Sequence, residues 1–344
     1  MKKGDSAKRA EILKLISEHK KEDEIQWIRT GIHAIDLLVG NGIPMNKVIE
    51  IFGSEASGKS LLAWTIAKAF QKVGGVVVLY DVEGTAPKEW MRKLGIDTKL
   101  FMEPLEYPKT VEEIRDSIRE TVNSIRKIDK DVPTLIILDS IAACTSNGEW
   151  EDVKELKPKI NIGARAKSFS EFFRQFSQFL SENDVTLVCV NQIRDKIGVM
   201  WGKKEESPGG KALKFQASIR LEINSGAGIK DKDNNVIGVY AKIKTEKNKC
   251  APPLRSIKEA AIYWDRGYDE YGGLLEVLEK TGRVKIGERG SFSVGDKNYK
   301  SIEKAIEENP ELIKEWIYES KSKTNDHSEV GISGSDVDRH ESET

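Results

Sequence analysis

From about Trp27 onward the chain alternates short, wholly apolar runs with longer amphipathic ones. The runs "KVIEIF" (47–52), "GVVVLYDVE" (75–83), "PTLIILDS" (133–140) and "VTLVCVNQI" (185–193) are β-rich and apolar, the pattern of strands covered on both faces. Between them, "GKSLLAWTIAKAFQKVG", "TVEEIRDSIRETVNSIRKI" and "SFSEFFRQFSQFLSEN" carry apolar residues at helical spacing, and the first stops at Gly74 and Gly75. Strand and helix in alternation predict an α/β fold with a largely parallel, helix-covered sheet. "SIRLEINS", "VYAKIKTEK" and "IKEAAIYWD" instead alternate apolar with polar positions, so antiparallel strands are expected to extend that sheet.

The ends read differently. Residues 5–20 space Ile12, Leu13, Leu15 and Ile16 as one apolar face of a short helix. After Tyr271, "GGLLEVLEKTG", "SFSVGDKNYK" and "SIEKAIEENPELIKEWIYE" predict a small α+β unit. From Glu319 there are seven acidic residues against three basic ones and almost no large hydrophobes, which predicts a disordered acidic tail. The expected division is an N-terminal helical segment (1–26), a core (27–269), a small C-terminal unit (270–318) and the tail (319–344).

Composition narrows the possibilities. The 344 residues, 38% hydrophobic and 32% charged, suffice for one large core with a smaller appended unit. No uncharged apolar stretch reaches 18 residues and the N-terminus is charged throughout, so the expected location is the cytoplasm, with no membrane partner. Cys144, Cys189 and Cys250 lie far apart, with neither metal-site nor disulfide spacing, as fits a reducing compartment. A formal net charge of -1 excludes bulk basicity as a reason for nucleic-acid binding, so any such site must be local.

The candidate chemistry begins at "GSEASGKS". Gly53, Gly58, Lys59 and Ser60 fit G-x-x-x-x-G-K-[ST] between a strand and a helix, with Ser54, Glu55, Ala56 and Ser57 inside the turn. In such a loop backbone N–H groups and the helix N-terminus face phosphates, the lysine reaches the outer phosphates and the serine hydroxyl can ligate Mg²⁺. Asp139, ending an apolar strand, is the candidate second metal-shell group. For orienting or deprotonating water, Glu83 and Asp81 both stand at the end of "VVVLYDVE", and their positions alone do not separate them.

Five stretches together resemble the RecA recombinase family: "TGIHAIDLLVGNGIPMNKVIEIFGSEASGKS", "LIILDSIAA", "VNQIRDKIGVMWG", "PGGKALKFQASIRLEI" and "EKNKCAPP". The similarity runs in order from about Thr30 to Asp265. It implies a P-loop NTPase core of RecA type that takes ATP and Mg²⁺ between adjacent subunits. It further implies self-association into a helical filament on single-stranded DNA and exchange of that strand with homologous duplex DNA. By position, the resemblance makes Glu83 the water-activating glutamate, Asp139 the metal-shell aspartate and Gln192 the γ-phosphate sensor. Trp90 takes the place of the aromatic ring against adenine, with a core tryptophan as the plainer reading, and Lys247 and Lys249 match lysines that reach a neighbour's ATP. A RecA-related accessory ATPase or helicase is the alternative.

Between Arg194 and Lys214 lie six basic and three acidic residues with Ile197, Val199, Met200 and Trp201 among them. Cations that neutralise phosphates beside apolar groups that stack on bases suit sequence-tolerant single-strand binding. The resemblance makes this the second DNA loop, with Arg194, Lys196, Ile197, Gly198, Val199, Met200, Trp201, Gly209, Gly210 and Lys211 as candidate contacts. Lys211 stands where the family usually has asparagine. The first loop is expected at 146–167, with Ile162, Gly163 and Lys167, followed by a helix carrying Ser170 and Arg174. The four histidines sit in polar or terminal stretches and suggest no catalytic work.

Overall fold

The computed structural model describes residues 9, 11, 14 and 25–318, apart from 85, 105, 155–163, 196–204, 207–209, 253, 255, 288 and 289. In chain order the strands are β1 (Trp27–Ile28), β2 (Ile43–Pro44), β3 (Val48–Gly53), β4 (Val76–Asp81), β5 (Phe101–Met102), β6 (Thr134–Asp139) and β7 (Val185–Gln192). They continue with β8 (Arg194–Asp195), β9 (Glu205–Glu206), β10 (Ile219–Lys230), β11 (Val236–Asn248), β12 (Ser256–Tyr263), β13 (Gly267–Tyr268), β14 (Phe292–Val294) and β15 (Lys297–Tyr299). Nine of these form one sheet in the order β13-β12-β11-β10-β3-β7-β6-β4-β5. Pairing is parallel from β10 through β5 and antiparallel from β10 outward to β13, as the two hydrophobic patterns predict.

The apolar strands divide their side chains by the period of two between two cores. Ile49, Ile51, Val77, Leu79, Leu135, Ile137, Val188 and Val190 enter one apolar cluster, with Leu62, Ile66 and Phe70 of the helix Lys59–Lys72. Val48, Val78, Tyr80, Ile136, Leu138, Leu187 and Cys189 enter the other, under the helices Val111–Ile128 and Ala164–Glu182. The first of those two helices buries Val111, Ile114, Ile118, Val122 and Ile125, one helical stripe. Thr110 accepts from Glu113 N and Glu113 accepts from Lys109 N, so its first turn is closed at both donors. Glu50 is the polar exception inside β3. Fully buried, it accepts from Arg220 Nε at 2.5 Å and Asn191 Nδ2 at 3.0 Å, which compensates its lost hydration.

The cluster on the phosphate-loop side continues without a break into Leu274, Val277, Phe292, Tyr299 and Trp316 of the C-terminal unit. Among the described residues no helix is long and apolar enough to cross a membrane.

Two expectations differ locally. The segment read as a loop over 146–167 contains the helix Asn147–Lys154, and the following helix starts at Ala164 rather than Ser168. The reason is a reciprocal cap: Ser146 N and Oγ donate to Glu149 Oε2, while Glu149 N donates back to Ser146 Oγ. Glu149 also pairs with Arg165, tying the two helices together and giving one acidic residue of this segment its role. Likewise Gly210 and Lys211 open the helix Gly210–Gln216 instead of lying in a loop, because Leu213 is buried against the core.

Candidate active site at the carboxyl edge of the sheet

Strand register assembles the site. Gly53 of β3 pairs with Gln192 of β7, and Asp81 of β4 with Asp139 of β6, so four strand ends deliver their residues to one edge. At Gly53 φ is +152° and an added Cβ would lie 1.8 Å from Ile223 O, so only glycine lets β3 leave the sheet beside β10. At Gly58 φ is +92° and a Cβ would stand 2.6 Å from Ile262 Cδ1. These constraints bend residues 53–58 into a loop whose last residue caps the helix Lys59–Lys72.

Within the loop Lys59 is buried and its Nζ donates to Ser54 O at 2.5 Å. Burial draws this ammonium below its usual range, while the carboxylates of Asp139, Glu55 and Glu83 oppose that shift. Ser57 Oγ is buried with no partner among the described residues, an orphaned polar atom that phosphate oxygens would satisfy. Tyr268 Oη donates to Gly58 O at 3.2 Å and braces the loop from β13.

Asp139 is pushed up to about 6, first by burial and further by Glu83 and Asp81, against the hydroxyl of Ser60 that hydrogen-bonds it and the charge of Lys59. A hydroxyl and a carboxylate side by side at a phosphate loop are the hard oxygen donors Mg²⁺ prefers. Among the described residues no group of three or more His, Cys, Asp or Glu side chains could hold a metal ion.

Glu83 is exposed on the turn after β4, and its Oε1 accepts from Ser140 Oγ at 2.5 Å and from Gln192 Nε2 at 3.4 Å. Asp81 is engaged differently: its Oδ2 accepts from Ala86 N at 2.8 Å, pinning the turn that presents Glu83. The geometry thus separates two carboxylates that their positions in the sequence left equivalent.

Beside the loop opens a cavity of about 250 Å³ lined by residues 56–61, Trp64, Trp90, Val239, Ile262 and Trp264. Trp90 is half-buried, on the short helix Lys88–Lys93, with its ring edge-on to Trp64 at 5.8 Å. Trp264, 54% exposed, comes from the end of β12 and was not marked by the sequence reading. Its only sequence signal is an aromatic pair closing an alternating strand.

Lys247 and Lys249 lie elsewhere. In the antiparallel pairing Lys247 of β11 is opposite Arg220 of β10, itself opposite Glu50, and Lys249 N bonds Ser218 O next to β10. The lysines therefore sit toward the amino end of β3, whereas this chain's phosphate loop leaves from its carboxyl end. Lys247 Nζ donates to Lys214 O and Phe215 O, both at 2.8 Å, capping the helix Gly210–Gln216. Lys249 is exposed.

Of the candidate DNA contacts, Lys167, Ser170 and Arg174 form one exposed stripe of the helix Ala164–Glu182, opposite the buried Phe169, Phe172, Phe173 and Phe176. Arg194 stands in β8, which pairs with β9, and Lys211 is exposed in the first turn of the helix Gly210–Gln216. Ile162, Gly163, Lys196, Ile197, Gly198, Val199, Met200, Trp201 and Gly209 lie outside the described residues.

The sequence is similar to those of known proteins. The family model for the RecA N-terminal domain matches residues 5–269. Protein RecA of Thermus aquaticus is 36% identical over 299 residues, covering 85% of this chain and 84% of that protein. Protein RecA of Chlorobium limicola is 35% identical over 298 residues, covering 85% and 81%. Protein RecA of Cereibacter sphaeroides is 36% identical over 276 residues, covering 79% and 76%. With a phosphate loop, a mostly parallel sheet and similarity through most of its length, the chain belongs to the RecA family.

Proposed function

We propose that this protein is a DNA-dependent ATPase and recombinase that polymerises on single-stranded DNA and exchanges that strand with homologous duplex DNA. The observation that carries the reading is the position of Lys247 and Lys249 at the edge of the sheet away from their own phosphate loop. A loop that uses these cations takes them from a second copy, and such head-to-tail contacts propagate into a filament. ATP turnover is then tied to assembly, since charge developing on the phosphates is neutralised from the neighbour.

In this reading the backbone of residues 53–58 and Lys59 hold the phosphates, Ser60 and Asp139 hold Mg²⁺, and Trp90 and Trp264 cover the base. Mg²⁺, when bound, draws charge from the phosphates. Water attacks the γ-phosphorus as the bond to the β–γ bridging oxygen breaks; the electron pair leaves with ADP and the water proton passes to Glu83. Gln192, beside Glu83, senses the γ-phosphate at the root of the segment that follows β7. The stripe of Lys167, Ser170 and Arg174, with Arg194, Lys211 and the residues between, binds the DNA backbone and bases. Residues 27–269 form the ATPase core, 1–26 dock neighbouring subunits, 270–318 form the appended unit and 319–344 an acidic tail, all in the cytoplasm.

The test is ATP hydrolysis with and without unstructured single-stranded DNA over a range of protein concentration, followed by transfer of a labelled strand from homologous duplex. Stimulation that rises cooperatively with protein, and transfer that requires homology, are expected. Hydrolysis indifferent to DNA would favour the accessory ATPase instead.

A further inference from the structure

Glu83 is the least supported of the proposed catalytic groups. Its side chain is exposed, on a turn, with several rotatable bonds. A general base delivers its rate only when its carboxylate stays within reach of the attacking water, and a displacement of about 1 Å can cost as much as 100-fold. Something must hold it.

Two donors reach Glu83 Oε1: Gln192 Nε2 at 3.4 Å and Ser140 Oγ at 2.5 Å. They are not equivalent. Gln192 is the group that the proposed function assigns to the γ-phosphate, and an amide engaged there is not available to hold Glu83. Ser140 has no such second task. It is 1% exposed and follows Asp139 directly, so its hydroxyl leaves the same strand end as the carboxylate assigned to the metal. Its carbonyl accepts from Ala143 N at 3.2 Å and Cys144 Sγ at 3.5 Å, and the flanking Ile141 and Cys144 are fully buried. The hydroxyl is thus mounted on a packed turn, whereas the carboxylate it meets is not. A serine O–H donating to an ionised carboxylate is a short, charge-assisted bond, stronger than a neutral one.

We propose that Ser140 is a positioning residue for ATP hydrolysis: its buried hydroxyl holds the Glu83 carboxylate at the strand end that also carries Asp139, keeping the base in place once Gln192 engages the γ-phosphate. This rests on the assignment of Glu83 as the base. Ser140 is assigned no contact of its own with nucleotide or water and acts through Glu83.

The experiment compares Ser140→Ala, Glu83→Gln and the double variant in the full-length protein, with DNA-stimulated kcat, KM for ATP and affinity for a non-hydrolysable ATP analogue. For Ser140→Ala, kcat is expected to fall about tenfold with KM and analogue affinity within about twofold of the parent, a split that loosened packing would not produce. In the Glu83→Gln background the serine substitution is expected to have no further effect, because a group acting through Glu83 has nothing left to position. An unchanged or raised kcat in Ser140→Ala overturns the proposal. So does loss of analogue binding, or an equal loss in both backgrounds. If Glu83→Gln alone turned over like the parent, the assignment of the base would fail instead, whatever the serine variant did.

Discussion

Lys59 has given up most of its hydration to stand in the loop and keeps one carbonyl and three nearby carboxylates as compensation. Lys59→Ala removes the cation that the proposed function assigns to the phosphates, and DNA-stimulated turnover is expected to fall about 100-fold or more with loss of ATP-dependent assembly. Steady-state hydrolysis measures this, and normal turnover would sink the phosphate-site assignment. The thiols carry a second residue-level expectation. Burial pushes Cys144 up to about 12 and Cys189 well above its usual range, and it raises half-buried Cys250 as well. Since the thiolate is the nucleophile, an alkylating reagent at pH 8 should mark Cys250 first, and the other two only through unfolding. Mass spectrometry of the time course decides; early labelling of Cys189 would contradict the packing of the second core.

Between β3 and β10 the backbones approach so closely at Gly53 that no Cβ fits against Ile223 O. Gly53→Ala must part the two strands or twist the loop, and a cost of about 3 kcal/mol or more is expected, read as a lowered thermal midpoint together with lost ATP binding. A variant with parental stability would mean that the loop tolerates another path. The helix Gly210–Gln216 depends on Lys247 in a comparable way, because the ammonium caps carbonyls of its last turn. In the proposed filament, a Lys247 turned to a neighbour's phosphates would leave those carbonyls without their donor. Lys247→Met should therefore speed amide hydrogen exchange in this helix in the unassembled protein; protection equal to the parent would remove the cap.

For the filament proposed above, the decisive feature is that the two lysines lie toward the amino end of β3 while the phosphate loop leaves from its carboxyl end. A Lys59→Ala subunit keeps its lysines, and a Lys247→Ala/Lys249→Ala subunit keeps its loop. Mixed in equal amounts, roughly a quarter of head-to-tail contacts would pair an intact loop with intact lysines, and turnover should rise well above the sum of the separate variants. A mixture that only adds the two rates would show that the lysines act within one chain or not at all.

The main strands and helices, the change from parallel to antiparallel pairing and the phosphate loop were legible in the sequence because each rests on local pattern. Strands buried on both faces must be apolar continuously, helices must be apolar at one stripe, and the loop must carry glycine where φ is positive. Harder to see were features made by segments far apart in the chain. Asp81 and Glu83 differ only in that one pins the turn through Ala86 N while the other meets Ser140 and Gln192. Trp264 and Tyr268 join Trp90 and Gly58 across more than 170 residues, a convergence no spacing rule encodes. The helix Asn147–Lys154 was hidden because its apolar content is low, although the Ser146–Glu149 cap was spelled out. Lys247 and Lys249 could be named from the sequence, but the edge they occupy follows from the register of β11 on β10. Residue types and local periodicity fix which groups the chain carries; long-range strand pairing fixes which of them can meet.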